Sequence, residues 1–254
     1  MSVVDPPRQK RRRLAAVAGP DQQQAQTDAS EAAPRRSARN AVRVLNLCSG
    51  TESLEAALRS TFGEDVEIVT VEKLAKYKPT HCVDIRKWDY KGLYREHHFQ
   101  VIWASPPCTE YSRAKSTGKR RYGKADAIVR RCLEIIDDLA PVAWFMENPS
   151  TGKLPGRPCV EHIGDRAHRC TYCMYGEDFM KPTMIWSNLP LDLEECTAEH
   201  PCAHVRRYGK HPVTCQTGRS LCGRKGVPSE RSGMIPVALA TELFAAAKTA
   251  IDAR

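Results

Sequence analysis

From Ala41 onward the chain alternates apolar runs of strand length with amphipathic segments of helical length, and each of the first five runs stops on a chemically useful residue. VRVLNLCSG ends at Gly50, EDVEIVTVEK reaches Glu72, THCVDI reaches Asp84, FQVIWASPPC ends at Cys108 and PVAWFMENP reaches Glu147. Continuous apolar character marks strands buried on both faces, and intervening helices make the sheet parallel. TESLEAALRSTFG sets Leu54, Ala57 and Leu58 at helical spacing, with Glu52 and Glu55 in its first turn. KADAIVRRCLEIIDDL does the same with Ile128, Cys132, Ile135, Ile136 and Leu139, and a last helix runs from Pro236 to Ile251. The fold class expected is α/β, a doubly wound and mostly parallel sheet, in which ligands bind beyond the carboxyl ends of the strands. TYCMYG and TMIWSN are two further strand candidates, and residues 189–233, rich in Cys, His, Gly and Arg, read as irregular.

A chain of 254 residues can hold one full domain plus a short appendage. No run approaches the ~18 apolar residues of a membrane span, so an integral membrane protein is not expected. Lys and Arg number 39 against 30 acids, a net charge of +9 that favours a polyanionic partner. Eleven cysteines, an odd number with no secretory leader, suit reduced, catalytic or metal-bound thiols better than a disulfide framework. Residues 1–41 read as a disordered basic tail, with Pro6-Pro7, a Gln22–Gln24 run and few large apolar residues. Its RQKRRR run, Arg8 to Arg13, can serve as a nuclear-import signal, a nonspecific phosphate binder or a solvated segment. The localisation expected from that run is nuclear, otherwise cytoplasmic, and not secreted.

The strand ends suggest a cofactor and a reaction. Gly50, at the first strand-to-helix turn, lets backbone approach a ligand, and Glu72 at the second strand end suits a ribose diol. Pro106 and Pro107 fix the chain just before Cys108. The cations after it, Arg113, Lys115, Lys119, Arg120, Arg121 and Lys124, are expected to favour its thiolate and to contact phosphate. Glu147 follows the apolar WFM, where a carboxyl tends to have a raised pKa. If the fourth and fifth strands are neighbours, about 5 Å apart, Cys108 and Glu147 face one pocket.

These residues, in this order, resemble the DNA (cytosine-5)-methyltransferase family and, in the wording YCMYG…KPTMIWSN, its compact phage- and virus-like branch. The similarity covers most of residues 42–188 and, more faintly, 228–251. The resemblance implies a Rossmann-like S-adenosylmethionine-dependent methyltransferase fold. Residues 42–188 would form the catalytic domain, 189–233 a short Cys/His-rich target-recognition insertion, and 234–254 a helix packing back on that domain. LNLCSGTES resembles the family's first cofactor motif, which assigns Cys48, Ser49, Gly50, Thr51, Glu52 and Ser53 to S-adenosylmethionine. Glu72 with Lys73, Asp84 with Ile85, and Pro106 complete the cofactor set implied. SPPCTEYS resembles the nucleophile motif and MENP the Glu-Asn motif, so Cys108 and Glu147 would be catalytic. Ser112, Arg113, Lys115, Lys119, Arg120, Arg121 and Lys181 would contact nucleic acid. The partner implied is double-stranded DNA with its target cytosine flipped out, bound by a monomer away from any membrane.

The chain departs from the family pattern at three places. Thr109 follows the nucleophile where the family has Gln, and Glu52-Ser53 replace glycine-richer residues. Alignment on Tyr175-Gly176 sets Phe179, Lys181 and Thr183 against the family's Gln-x-Arg-x-Arg, and Thr183 cannot replace an arginine. The recognition region is short, about 45 residues, enough to read few bases directly. Cytosine-5 methylation of tRNA and a catalytically silent nucleic-acid-binding relative are the alternatives. Cys196, His200, Cys202, His204, His211, Cys215 and Cys222 leave structural zinc open within 196–222. Cys159-x-x-His162 with Cys170-x-x-Cys173 forms a second set, weakened because strand alternation would point Cys170 and Cys173 apart. No metal ligand is assigned.

Overall fold

The computed structural model describes residues 41–51, 53–115, 117–215 and 226–254. The expected basic tail with its Arg8–Arg13 run, together with Glu52 and Cys222, lies outside them. Seven strands form one sheet: β1 (Arg43–Leu47), β2 (Glu67–Glu72), β3 (His81–Cys82), β4 (Val101–Ala104), β5 (Ala143–Pro149), β6 (Ala167–Thr171) and β7 (Pro182–Ser187). Their order is β3-β2-β1-β4-β5-β7-β6. The first five pair in parallel, whereas β7 runs antiparallel to both β5 and β6. This is a doubly wound, Rossmann-like sheet, with the order reversing beside β1 and β4.

Alternation along the central strands sorts side chains into two cores. Leu45, Leu47, Ile102, Ala104, Trp144 and Met146 face α2 (Tyr122–Leu139), which supplies Val129, Cys132, Ile135, Ile136 and Leu139. Val44, Val101, Trp103 and Phe145 face the other way, onto α1 (Glu55–Phe62) and the C-terminal helix (Val237–Asp252). Helices on both faces explain why β4, Val-Ile-Trp-Ala, is buried throughout.

Two expectations change. Thr171 to Gly176 is not a strand: β6 ends at Thr171, and Tyr172–Tyr175 tighten into a 3₁₀ turn closed by Gly176 at φ 93°. The positive φ suits glycine and reverses the chain toward β7. The segment Ser229–Asp252 is also long and apolar enough, by length and composition, to cross a membrane. Its Leu239, Ala240, Leu243, Phe244 and Ala247 are buried against the sheet and α1, which accounts for that composition as core packing.

Among the described residues of the 189–233 segment, which are largely irregular, two short helices form, α3 (Ala203–Tyr208) and α4 (Ser229–Gly233). The C-terminal helix is therefore α5. A small third cluster, separate from both cores, gathers Cys173, Cys196 and Cys202 with Met174 and Val205.

Candidate active site

The turn after β1 is shaped by two left-handed residues, Cys48 at φ 57° and Gly50 at φ 55°. A non-glycine residue there is strained, and such strain concentrates where backbone must present itself to a ligand. Ser49 N–H donates to the Val71 carbonyl, tying the turn to β2. Ser53 Oγ accepts from Ile235 N at 3.1 Å, tying it to the segment leading into α5. Glu72 closes β2, and its Oε1 accepts the Leu74 N–H at 3.0 Å.

Cys48, Ser49, Gly50, Thr51, Ser53, Glu72, Lys73 and Pro106 line one cavity of about 390 Å³, and Cys108, Glu147 and Lys181 line the same cavity. Within it the Asn46 Oδ1 and Ser49 Oγ atoms are buried without a hydrogen-bond partner. Native interiors rarely leave such atoms unsatisfied, so a polar ligand fits here. The acid at the β2 end and the exposed backbone turn suit the ribose and amino-acid ends of S-adenosylmethionine.

Asp84 and Ile85 do not join them. The chain turns into a 3₁₀ segment at Ile85, burying that side chain in the core, while Asp84 caps the turn by accepting Arg86 N–H. Arg86 also holds the Asp84 carboxyl at about 2, so this carboxylate is already engaged. Leu74 and Tyr77 line the cavity in their place. Sequence reasoning missed them, along with Asn46, Ser105 and, within the 189–233 segment, Ser229, Glu230 and Gly233. Ser105 could have been found, because it directly follows β4 at a strand end.

The reactive end of the cavity is a buried charge network. Lys181 Nζ lies 3.2 Å from Glu147 Oε1 and donates to Tyr172 Oη at 3.1 Å, while Tyr172 Oη donates to Glu147 Oε1 at 3.2 Å. Burial would strip Lys181 of its proton, but Glu147 and Tyr172 outweigh it and hold the ammonium above its ordinary value. Burial pushes the Cys108 thiol up, Glu147 adds to the rise, and Lys181 opposes it.

That reverses the expectation of a thiolate favoured by the basic run. Those cations serve their own loop instead. Arg120 donates to the carbonyls of Glu110, Ser112 and Lys115, and Lys115 pairs with Glu110 at 2.6 Å. Ser112 Oγ accepts Ala114 N–H. Arg113, Lys119 and Arg121 remain exposed, the last two beside a crevice on this loop. Of the three residues set against the family's Gln-x-Arg-x-Arg motif, only Lys181 reaches the cavity. Phe179 is buried in the apolar core, and Thr183 hydroxyl donates to the Lys181 carbonyl.

Local structure holds Cys108 in place. The Cys108 carbonyl accepts N–H bonds from both Tyr111 and Ser112, and Asn148 Nδ2 donates to the Pro106 carbonyl at 2.8 Å. Tyr111 hydroxyl in turn donates to the buried Asp126, which pairs with Arg157 at 2.6 Å. Cys215 also stands near enough to Cys108 and Lys181 to feel their charge, on the catalytic side and outside the cysteine cluster.

The family profile of the C-5 cytosine-specific DNA methylases matches residues 42–152, which span the cofactor turn, the nucleophile loop and Glu147. That stretch is similar to the C-5 cytosine-specific DNA methylases. The chain is 29% identical over 221 residues to a frog virus 3 (isolate Goorha) protein named "Probable DNA (cytosine-5)-methyltransferase", covering 80% of this chain and 99% of that one. Solved structures similar to it include a methyltransferase encoded within an E. coli prophage, at 12% identity and TM-score 0.43 over 62% of this chain and 53% of that one. The S. pombe Dnmt2 methyltransferase aligns at 15% identity and TM-score 0.41, covering 66% and 56%. The chain spans just over half the length of these solved chains.

Proposed function

We propose that this enzyme methylates carbon 5 of cytosine in DNA through a covalent Cys108 adduct on a base turned out of the duplex. The observation that carries the proposal is the shared cavity: Cys108, Glu147 and Lys181 face the same space as the turn suited to S-adenosylmethionine. Carbon 5 of cytosine is a poor nucleophile, so a temporary bond at carbon 6 is required. Cys108 loses its proton to solvent and its sulfur bonds to carbon 6, pushing electron density onto carbon 5. Bound S-adenosylmethionine supplies an electrophilic methyl group. Glu147 holds ring nitrogen 3 and the exocyclic amine, and the Lys181 ammonium opposes negative charge developing on the ring. Loss of the carbon-5 proton to solvent restores the double bond and breaks the carbon–sulfur bond, returning the thiolate. A base stacked in the duplex hides its carbon 6, so the cytosine leaves the helix to meet Cys108.

The name of the viral relative favours DNA over tRNA as the substrate, while the net charge of +9 suits either polyanion. A duplex bearing 5-fluorocytosine tests the chemistry, because fluorine cannot leave carbon 5 as the proton does. A stable protein–DNA adduct is expected with Cys108 and none with Cys108→Ser, which should still bind the cofactor. Labelled-methyl transfer to tRNA without transfer to DNA would overturn the choice of substrate.

A further inference from the structure

Cys173, Cys196, Cys202 and His211 converge from separate parts of the chain, with their ligand atoms all within 4.8 Å of one another. Cys173 lies on the turn after β6, Cys196 in the irregular segment, Cys202 at the start of α3, and His211 just beyond it. His211 Nε2 is 3.4 Å from Cys202 Sγ and 3.8 Å from Cys196 Sγ. Zinc–sulfur bonds of about 2.3 Å and zinc–nitrogen bonds of about 2.0 Å, set tetrahedrally, put neighbouring ligands about 3.6 Å apart. The observed separations bracket that edge.

The surroundings also fit a metal. Cys202 N–H donates to Cys196 Sγ at 3.3 Å, a contact that stabilises a metal-bound thiolate. Thr171 Oγ1 accepts Cys196 N–H at 2.7 Å and lies 3.6 Å from Cys173 Sγ, fixing two of the ligands through one hydroxyl. Among the described residues only Met174 and Val205 pack on the three cysteines, a small apolar cluster of the kind that a metal reinforces.

We infer that these four residues bind a structural zinc ion that staples the 196–211 segment to the active-site turn. Cys173 directly follows Tyr172, whose hydroxyl contacts Glu147 and Lys181, so the metal would fix the turn supporting the charge network. It would also set α3, with exposed Arg206 and Arg207, beside that turn. His200, His204 and Cys215, which share the same sequence cluster, fall outside the tetrad.

The inference is tested by metal content, which is independent of methyl transfer. Full-length protein purified under reducing conditions without chelator should contain stoichiometric zinc. That zinc should be lost in Cys196→Ser and His211→Ala and retained in His200→Ala and His204→Ala. Should the first pair fail to fold, cobalt exchanged into the wild-type protein provides the second measurement. It should give the visible bands of a tetrahedral site and a thiolate charge-transfer band as intense as three thiolates require. Zinc absent after refolding with the metal, zinc retained in Cys196→Ser, or an octahedral cobalt spectrum overturns the assignment. A disulfide between two of the three cysteines, seen as a loss of two hydrogens by mass, overturns it as well.

Discussion

The Lys181 ammonium and the Glu147 carboxylate stand 3.2 Å apart, with both side chains more than nine-tenths buried, at the edge of the cavity holding Cys108. The two act on the thiol in opposite directions. Glu147 raises the Cys108 pKa, so Glu147→Gln should lower it. Alkylation of Cys108 by iodoacetamide should then proceed at lower pH, while methyl transfer falls by about 10²-fold or more because the base loses its partner. An alkylation profile shifted upward would show that Glu147 does not face the sulfur.

Lys181→Met should give the reverse profile. Lys181 lowers the Cys108 pKa, so its removal moves thiol titration upward and slows alkylation at a fixed pH. It also leaves Glu147 buried and without its ion partner, a destabilisation of about 3–5 kcal/mol that urea unfolding would measure. A neutral effect on both readouts would remove Lys181 from the network.

Asp126 supports the nucleophile loop from below, accepting from Tyr111 hydroxyl at 2.8 Å and Arg157 Nη2 at 2.6 Å. Burial raises its pKa, but Arg157 and Tyr111 prevail, and the folded value lies below the unfolded one. A carboxyl depressed on folding adds stability above its unfolded pKa and loses it as pH falls through the folded value. Asp126→Asn should therefore cost about 3 kcal/mol at pH 7, with a fall in Tm of about 10 °C. The difference from wild type should shrink steadily below pH 4, and a gap constant with pH would refute the ionic contribution.

Most of the sheet was legible because β1, β4 and β5 are apolar runs whose burial on both faces leaves no competing pattern. The shared pocket of Cys108 and Glu147 followed from parallel neighbours ending level, since Ala104 pairs with Met146. Tertiary closure was less visible. Asp84 reads as a strand-end acid, yet a local turn with Arg86 consumes it. The cations after Cys108 read as phosphate contacts, yet the loop's own carbonyls take Arg120. The cysteine tetrad draws Cys173 from one spacing motif and its other three members from another, brought together where Thr171 meets Cys196.

Asn148 joins the fifth strand to the nucleophile loop through the Pro106 carbonyl. Asn148→Ala leaves that buried carbonyl without its donor, at a cost of about 1–3 kcal/mol. The loop should loosen around Cys108 while the turn after β1 is untouched. The methyl-transfer rate should thus fall at least about tenfold with cofactor affinity unchanged, since small displacements of a reacting group are costly. Calorimetric titration with S-adenosylmethionine beside single-turnover kinetics would check this, and an equal loss in both would mean the loop shapes the cofactor niche instead.

Glu72 is held by the Leu74 N–H at 3.0 Å, an arrangement that fixes the carboxylate where it lines the cavity. A carboxylate already oriented accepts ribose hydroxyls with little further ordering, and hydrogen bonds to a charged group contribute about 1.5–3 kcal/mol. Glu72→Ala should weaken S-adenosylmethionine binding by about 10- to 100-fold. Affinity for a cytosine-containing duplex should change little, because Glu72 lies at the β2 end, across β1 from the β4 and β5 ends that carry Cys108 and Glu147. Fluorescence titrations of each ligand against the variant distinguish the two. A DNA affinity that drops while cofactor binding holds would reverse the assignment of the two ends of the cavity.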